Sequence, residues 1–348
     1  MTQYLSDKLK VLSFISILLV LYIHSDFKDQ DISGMLWIGD IQMFISRMIG
    51  RCAVPLFYMI SGFLFFLKVP DGMKSIFNKM RKRIRTLFIP YIIGCLFFVA
   101  FSALVAIMPG SSKFVNNSIL PLFNETWLRI ICSVFYDAGN GQPLAFQLWF
   151  LRDLILIVLI SPLIYLGLKK SGWILIIVVF LFTYLDLSYI PSSALFWFML
   201  GGQITKYKNN ICIRHSGFAF AVLFVLLSFF QMIYPNASYW EFLRIPIIFM
   251  GIIGIWTLYD KVVAENFILE QHHWFSTICR YTFFIYLFHE PTLNIIRKLI
   301  VFIIGKNETG YLISYLTSPF IFAAFAVFIG IFLKTYCKAA YYICTGGR

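Results

Sequence analysis

The side chains in this sequence that could do chemistry sit in or beside strongly apolar runs. His24 ends the run LLVLYIHSD, His289 and Glu290 lie together in IYLFHEP, Arg152 and Asp153 are adjacent in LWFLRDL, and Ser61 sits in MISGF. A polar side chain is costly to keep in such surroundings, so each is a site candidate. His24 comes first, because an imidazole with an ordinary pKa of about 6.5 takes and returns a proton at neutral pH. Plainer roles compete with these. A histidine at a span end also suits the headgroup region, and His289 with Glu290 also suits a packing pair or a break made by Pro291. Arg152 and Asp153 also suit an interfacial ion pair. A second kind of signal is FNKMRKRIRTLFIPY, where Lys79, Arg81, Lys82, Arg83 and Arg85 fall within seven residues. A basic loop of this kind fixes topology and touches anionic lipid. Its guanidinium forks also suit bidentate binding of phosphate at the mouth of a cavity.

The elements that must position these residues are membrane spans. Of 348 residues, 60% are apolar and only 13% charged, too oily a composition for an aqueous surface. Apolar stretches recur along the whole chain, so one polytopic membrane domain is expected over 1–348. Stretches long enough to cross about 30 Å of hydrocarbon run roughly over 9–25, 52–69, 87–108, 147–168, 172–189, 191–206, 216–234, 243–260, 280–304 and 311–334. The fold class is therefore an all-α integral membrane protein of about ten transmembrane helices, with 191–206 the shortest span. Placing both termini in the cytoplasm puts nineteen of the 29 Lys and Arg inside, among them Lys68, Lys206, Lys208, Arg214 and Arg348, while most acids fall on the other side. The net charge of +13 then reflects topology, and nucleic acid is not an expected partner. Lys8 and Lys10 before Val11–Ile23 resemble the start of a signal peptide, but no small-residue cleavage site follows, so an uncleaved anchor is expected. The seven cysteines, Cys212 among them, show neither paired nor metal-ligand spacing, and no metal is expected.

Taken in order, several segments resemble the membrane acyltransferase type 3 family of bacterial inner-membrane proteins. They are LLVLYIHS with His24, VPLFYMISGFLF with Pro55, Ser61 and Gly62, and KRIRTLFIPY with Arg83, Arg85, Pro90 and Tyr91. LWFLRDLILIVLISPLIY, which includes Trp149, FMLGGQITK and YTFFIYLFHEP complete the set. The resemblance implies ten helices that use a cytoplasmic acyl-CoA, usually acetyl-CoA, to O-acylate a saccharide acceptor on the outer face. It implies a catalytic role for His24 and a hold on the cofactor's phosphates by Arg83 and Arg85, with Arg81 beside them. Many members carry an arginine eleven residues before the histidine; here that position is Ser13. Eleven residues are three helical turns, about 16 Å, so the missing arginine would share a face with His24, and Lys10, one turn below, is the candidate replacement.

The expected function is acyl transfer to a hydroxyl from a bacterial inner membrane, with His24 as base or nucleophile and Glu290 or Asp153 orienting its ring. Ser61, Trp149 and His289 are further site candidates. A proton-coupled carrier of a saccharide or small metabolite is the rival reading, since intramembrane His, Glu and Pro also suit one. The sequence leaves monomer and homo-oligomer both open.

Overall fold

The computed structural model describes residues 1–67, 72–108, 122, 124–185, 191–205, 217–264 and 266–347. Lys68, Lys206, Lys208, Arg214, Arg348 and Cys212 lie outside them, as do the span ends at 68–69, 186–189, 206 and 216. Among the described residues all regular structure is helical. Among the described residues five stretches have the length and apolarity to cross a membrane, Trp37–Phe66, Met73–Ala106, Ser161–Phe182, Tyr239–Val262 and Glu308–Tyr336, although Ser161–Phe182 is two helices joined at a kink. The chain is a multi-pass membrane protein.

Helix α1 (Gln3–His24) begins on Thr2, whose hydroxyl accepts the Leu5 N–H, and it starts well before the apolar run. After it, α2 (Trp37–Gln42) continues through a π-helical stretch, Met43–Met48, and a 3₁₀ turn, Ile49–Cys52, into α3 (Ala53–Phe66). The sequence reading placed no element over 37–51.

The long helix α4 (Met73–Ala106) corrects the reading of the basic cluster as a loop. Its 34 residues span about 51 Å at 1.5 Å each, so the helix outruns the bilayer and carries the cluster on its projecting turns. Lys, Arg and Met are good helix formers, and nothing in KMRKRIR stops the helix. Lys79 near its start donates to the carbonyls of Phe65 and Leu67, both at 2.6 Å, closing the C-terminal end of α3.

The mostly exposed helix α5 (Trp127–Phe135) packs against α4, and α6 (Trp149–Leu159) leads through Ile160 into α7 (Ser161–Phe182). Within α7 the chain turns back at Gly172, whose φ of +23° suits glycine. A Cβ on Gly167 would meet the Leu175 side chain at 2.3 Å, which only a reversal brings about. The turn therefore falls between the expected fourth and fifth spans. The short α8 (Ser192–Ile204) is almost wholly buried. It packs on α3 at backbone distance: a Cβ on Gly62 would lie 1.9 Å from the Phe198 carbonyl oxygen, and one on Gly201 2.0 Å from that of Met59. Small residues that let backbones touch are the usual adhesive between helices in lipid.

Helices α9 (Gly217–Ile233) and α10 (Tyr239–Val262) form a packed pair. After α11 (His273–Arg280), the expected ninth span, 280–304, is not one rod but two helices, α12 (Thr282–Phe288) and α13 (Thr292–Ile304). The break falls at His289–Pro291, because a proline ring cannot donate to the helical ladder and crowds the preceding turn. Helix α14 (Glu308–Tyr336) and the short α15 (Lys338–Thr345) complete the chain.

The α3–α8 contact yields a direct test. Gly201→Leu forces the two backbones apart, an overpacking cost of about 1–3 kcal/mol or more, and lowers the unfolding temperature of the detergent-solubilised protein. Gly39→Ala, where a Cβ meets only Ile32 at 3.8 Å, leaves that temperature unchanged in the same assay.

Candidate active site

Helix α1 is fixed at its N-terminal end by buried charge. Lys8 Nζ lies 2.7 Å from Asp260 Oδ2 on α10 and 3.9 Å above the Trp256 ring, and Tyr4 donates to the other Asp260 oxygen at 2.7 Å. One residue earlier, the buried Asp7 carboxylate accepts from Gln3, from Lys10 at 2.9 Å and from the Leu269 N–H at 3.1 Å. These bonds set the height and rotation of α1, and so of every residue on its inner face.

Above this clamp lies a cavity of about 340 Å³. Lys10 and Ser13 of α1 line it, one turn apart, together with Ser61 of α3, Arg83 of α4 and Arg280 of α11. Of the expected phosphate ligands it brings together Lys10 and Arg83. Arg83 shares a helix face with Leu87, which also lines the cavity, whereas Arg81 and Arg85 lie two residues to either side and are exposed. Arg280 was read from the sequence only as a topology charge, and its position at the end of a short amphipathic helix gave no further sign. Phe57, Phe150 and Tyr286 are among the aromatic residues of its wall, and the Tyr286 ring packs 6.0 Å from that of His289. Phe150 packs on Tyr58 with ring centres 4.6 Å apart and on Tyr286 at 5.7 Å, and the Tyr58 hydroxyl donates to the Phe150 carbonyl at 3.2 Å.

The imidazoles lie beyond that aromatic group. His24 and His289 have ring centres 4.9 Å apart, and the Phe146 ring packs on His24 at 5.5 Å. His289 is fully buried, its Nδ1 2.7 Å from the Tyr286 carbonyl oxygen, while Tyr286 donates its hydroxyl to the Gln147 carbonyl at 3.1 Å. Gln147 donates to the Glu290 carbonyl at 3.4 Å. The Glu290 side chain is buried too, with Arg297 and Lys298 the cations acting on it. Arg297 donates to the backbone carbonyl of Asp26, two residues past His24, and to Asn294 Oδ1 at 2.8 Å, and it stacks 4.5 Å over Phe27. Sequence reading missed Arg297 and Gln147. A charge in the middle of NIIRKLIVF was the available sign for the first; nothing marked the second.

Two candidates fall elsewhere. Asp153 is held by Arg152 at 2.8 Å and does not reach His24. Arg152 also donates to the carbonyls of Tyr136 at 2.7 Å and Gly141 at 2.9 Å, so this pair ties the loop after α5 to α6. In that loop the Gly139 and Gly141 N–H groups, each 2.8 Å from Asp137, hold its carboxyl below the usual range. Trp149 packs partly buried at the start of α6 and neither lines the cavity nor meets the imidazoles.

A basic cavity reached from one end of α1, with paired imidazoles at the other, meets its counterpart in sequence comparison: the Acyltransferase domain family matches residues 7–337. The chain belongs to this acyltransferase family. The acyltransferase is also similar to a protein of Rhizobium meliloti (strain 1021) named Succinoglycan biosynthesis protein ExoH, at 26% identity over 318 residues, covering 84% of this chain and 78% of the relative. No solved structure matches it.

The clamp below the cavity is testable in the acyltransferase. Lys8→Met strands a buried Asp260 carboxylate and costs about 3–5 kcal/mol, as loss of one partner of a buried pair does. Thermal unfolding in detergent falls accordingly, and Lys8→Met with Asp260→Leu recovers most of the loss.

Proposed function

We propose that this acyltransferase moves an acyl group, acetyl in the simplest case, from cytoplasmic acyl-CoA to a hydroxyl of an envelope or exported saccharide. It does so from ten crossings of the bacterial inner membrane, both termini in the cytoplasm. The observation that carries the reading is the cavity lined by Lys10, Arg83 and Arg280 and also by Phe57, Phe150 and Tyr286, the last packed on His289, the ring neighbour of His24. A phosphorylated, thiol-terminated donor has that polarity: anionic head, slender arm, reactive tip. The saccharide acceptor is supported by the relative named for succinoglycan biosynthesis.

In this mechanism the donor's phosphates rest on the three cations, and its pantetheine arm rises along Phe57, Leu154 and Phe150. His24 lies fourteen residues above Lys10 on the same helix, about 21 Å at 1.5 Å per residue, a height that the extended arm reaches once the Phe150 and Tyr286 rings part. His24 takes the acceptor's hydroxyl proton as the oxygen attacks the thioester carbon. The C–S bond breaks, the C–O bond forms, and the proton leaves on the coenzyme A thiol. The buried Arg297 charge beside this centre favours the oxyanion that forms on the way.

A carrier also uses helices broken at midspan, but it has no need of an acyl donor. Acetyl-CoA near 100 times its dissociation constant stabilises a protein that binds it by about 2.7 kcal/mol, and the unfolding temperature of the purified chain rises. Arg83→Ala and Arg280→Ala reduce that rise, while Arg81→Ala and Arg85→Ala do not. A carrier shows no rise at all.

Catalysis is tested separately. His24→Ala and His24→Gln, well expressed and correctly inserted, lose about 100-fold or more of the transfer of labelled acetyl to cell-surface saccharide, as removal of a general base does.

A further inference from the structure

His289 sits at the break after α12 with a ring that is wholly buried and fixed in one tautomer. The Tyr286 carbonyl oxygen, 2.7 Å from Nδ1, can only accept, so Nδ1 carries the proton. In a neutral ring Nε2 is then a lone-pair acceptor. That atom is buried and has no hydrogen-bond partner. Such an orphan in apolar surroundings costs free energy and calls for a donor. Two polar rings pack against His289: Tyr286 at 6.0 Å, whose hydroxyl donates to the Gln147 carbonyl, and His24, centre to centre 4.9 Å and tilted 48°. A centre-to-centre distance of 4.9 Å lies in the range over which two imidazoles can share an N–H···N bond. Bonds of this kind are often loose before substrate binds. Glu290, the neighbouring acid, lies under the influence of Arg297 and Lys298, and Asp153 is held by Arg152.

We propose that His289 is the positioning residue for His24. Its Nε2 accepts the His24 N–H, which leaves the other His24 nitrogen unprotonated and turned toward the acceptor hydroxyl. The inference rests on the reading of His24 as the base of acyl transfer. A neutral imidazole does here what a carboxylate does in soluble triads, without the cost of placing an anion among hydrocarbon and aromatic rings. When His24 takes the hydroxyl proton, its bond to Nε2 becomes charge-assisted and steadies the imidazolium.

The test is a pair of substitutions that divide the two ends of the His289 ring. His289→Gln places an amide oxygen near the Nε2 position, whereas His289→Asn keeps a donor for the Tyr286 carbonyl and removes the acceptor. Transfer of labelled acetyl from acetyl-CoA to saccharide is measured in membrane vesicles carrying the full chain. His289→Gln retains a substantial fraction of kcat, His289→Asn loses about 100-fold, and KM for acetyl-CoA moves in neither. If His289→Asn matches or exceeds His289→Gln, or if both keep full activity, His289 does not position His24. Nitrogen-15 spectra of the histidine-labelled wild-type protein give a readout that no folding defect obscures: His289 shows a protonated Nδ1 and a bare Nε2. A proton on Nε2 overturns the inference. Full activity in His24→Ala would instead remove the reading beneath it, so the two failures are told apart.

Discussion

Hydrocarbon offers no hydrogen bonds, and that constraint shapes this chain more than any single contact. Every polar group carried into the membrane must bring or find its partner. Most do: the hydroxyls of Tyr22, Tyr58 and Tyr91 donate to backbone carbonyls, Lys79 closes the end of α3, and Lys8 meets Asp260 under the Trp256 ring. Several of the atoms left over gather in one region. His289 Nε2, Gln147 Oε1, Arg297 Nε and Asp26 Oδ1 are buried without a partner around the His24 end of α1, while Ser161, Trp197, Gln203 and Tyr259 supply scattered others. Unmet hydrogen-bonding capacity beside a basic cavity is what a substrate hydroxyl and a developing charge would use.

Helix α1 is the axis that joins the two halves of the chemistry. Its lower turns are bolted by ions to α10 and to the segment before α11, and Lys10 of the same turns faces the cavity. Three turns and more above, the same face ends in His24. A rigid helix converts the position of a buried lysine into the position of an imidazole, so the placement of His24 depends on the buried salt bridge at Lys8.

Much of this was legible in the sequence, for identifiable reasons. Long apolar runs marked α4, α7, α10 and α14, and the turn between 168 and 172 was readable because Lys169, Lys170 and Gly172 interrupt such a run. The glycines of SGF and MLGGQ were readable as motif residues but not as partners, since only the fold brings Gly62 to Phe198 and Gly201 to Met59. His24 and His289 were each visible as polar residues in apolar surroundings; their pairing, across 265 positions of chain, was not. The basic cluster was misread as a loop because its charge suits cytoplasm, yet charge says nothing against a helix that projects from the membrane. The resemblance points to Arg83 and Arg85 with Arg81 beside them, and of these three helical rotation brings Arg83 to the cavity wall.

The rings of Phe57, Phe150 and Tyr286 carry a consequence beyond fitting a thioester. A water column running from cytoplasm to a pair of imidazoles near the far surface would conduct protons and drain the gradient that powers the cell. If the donor's path runs as proposed, these rings would make the shaft a dead end and keep the membrane insulating between turnovers. On the proposed orientation, the arm of the donor is itself the object that opens the passage, and it fills the space it opens. Transfer across the bilayer and electrical tightness then depend on the same few side chains, and smaller residues at Phe150 or Tyr286 would trade one for the other.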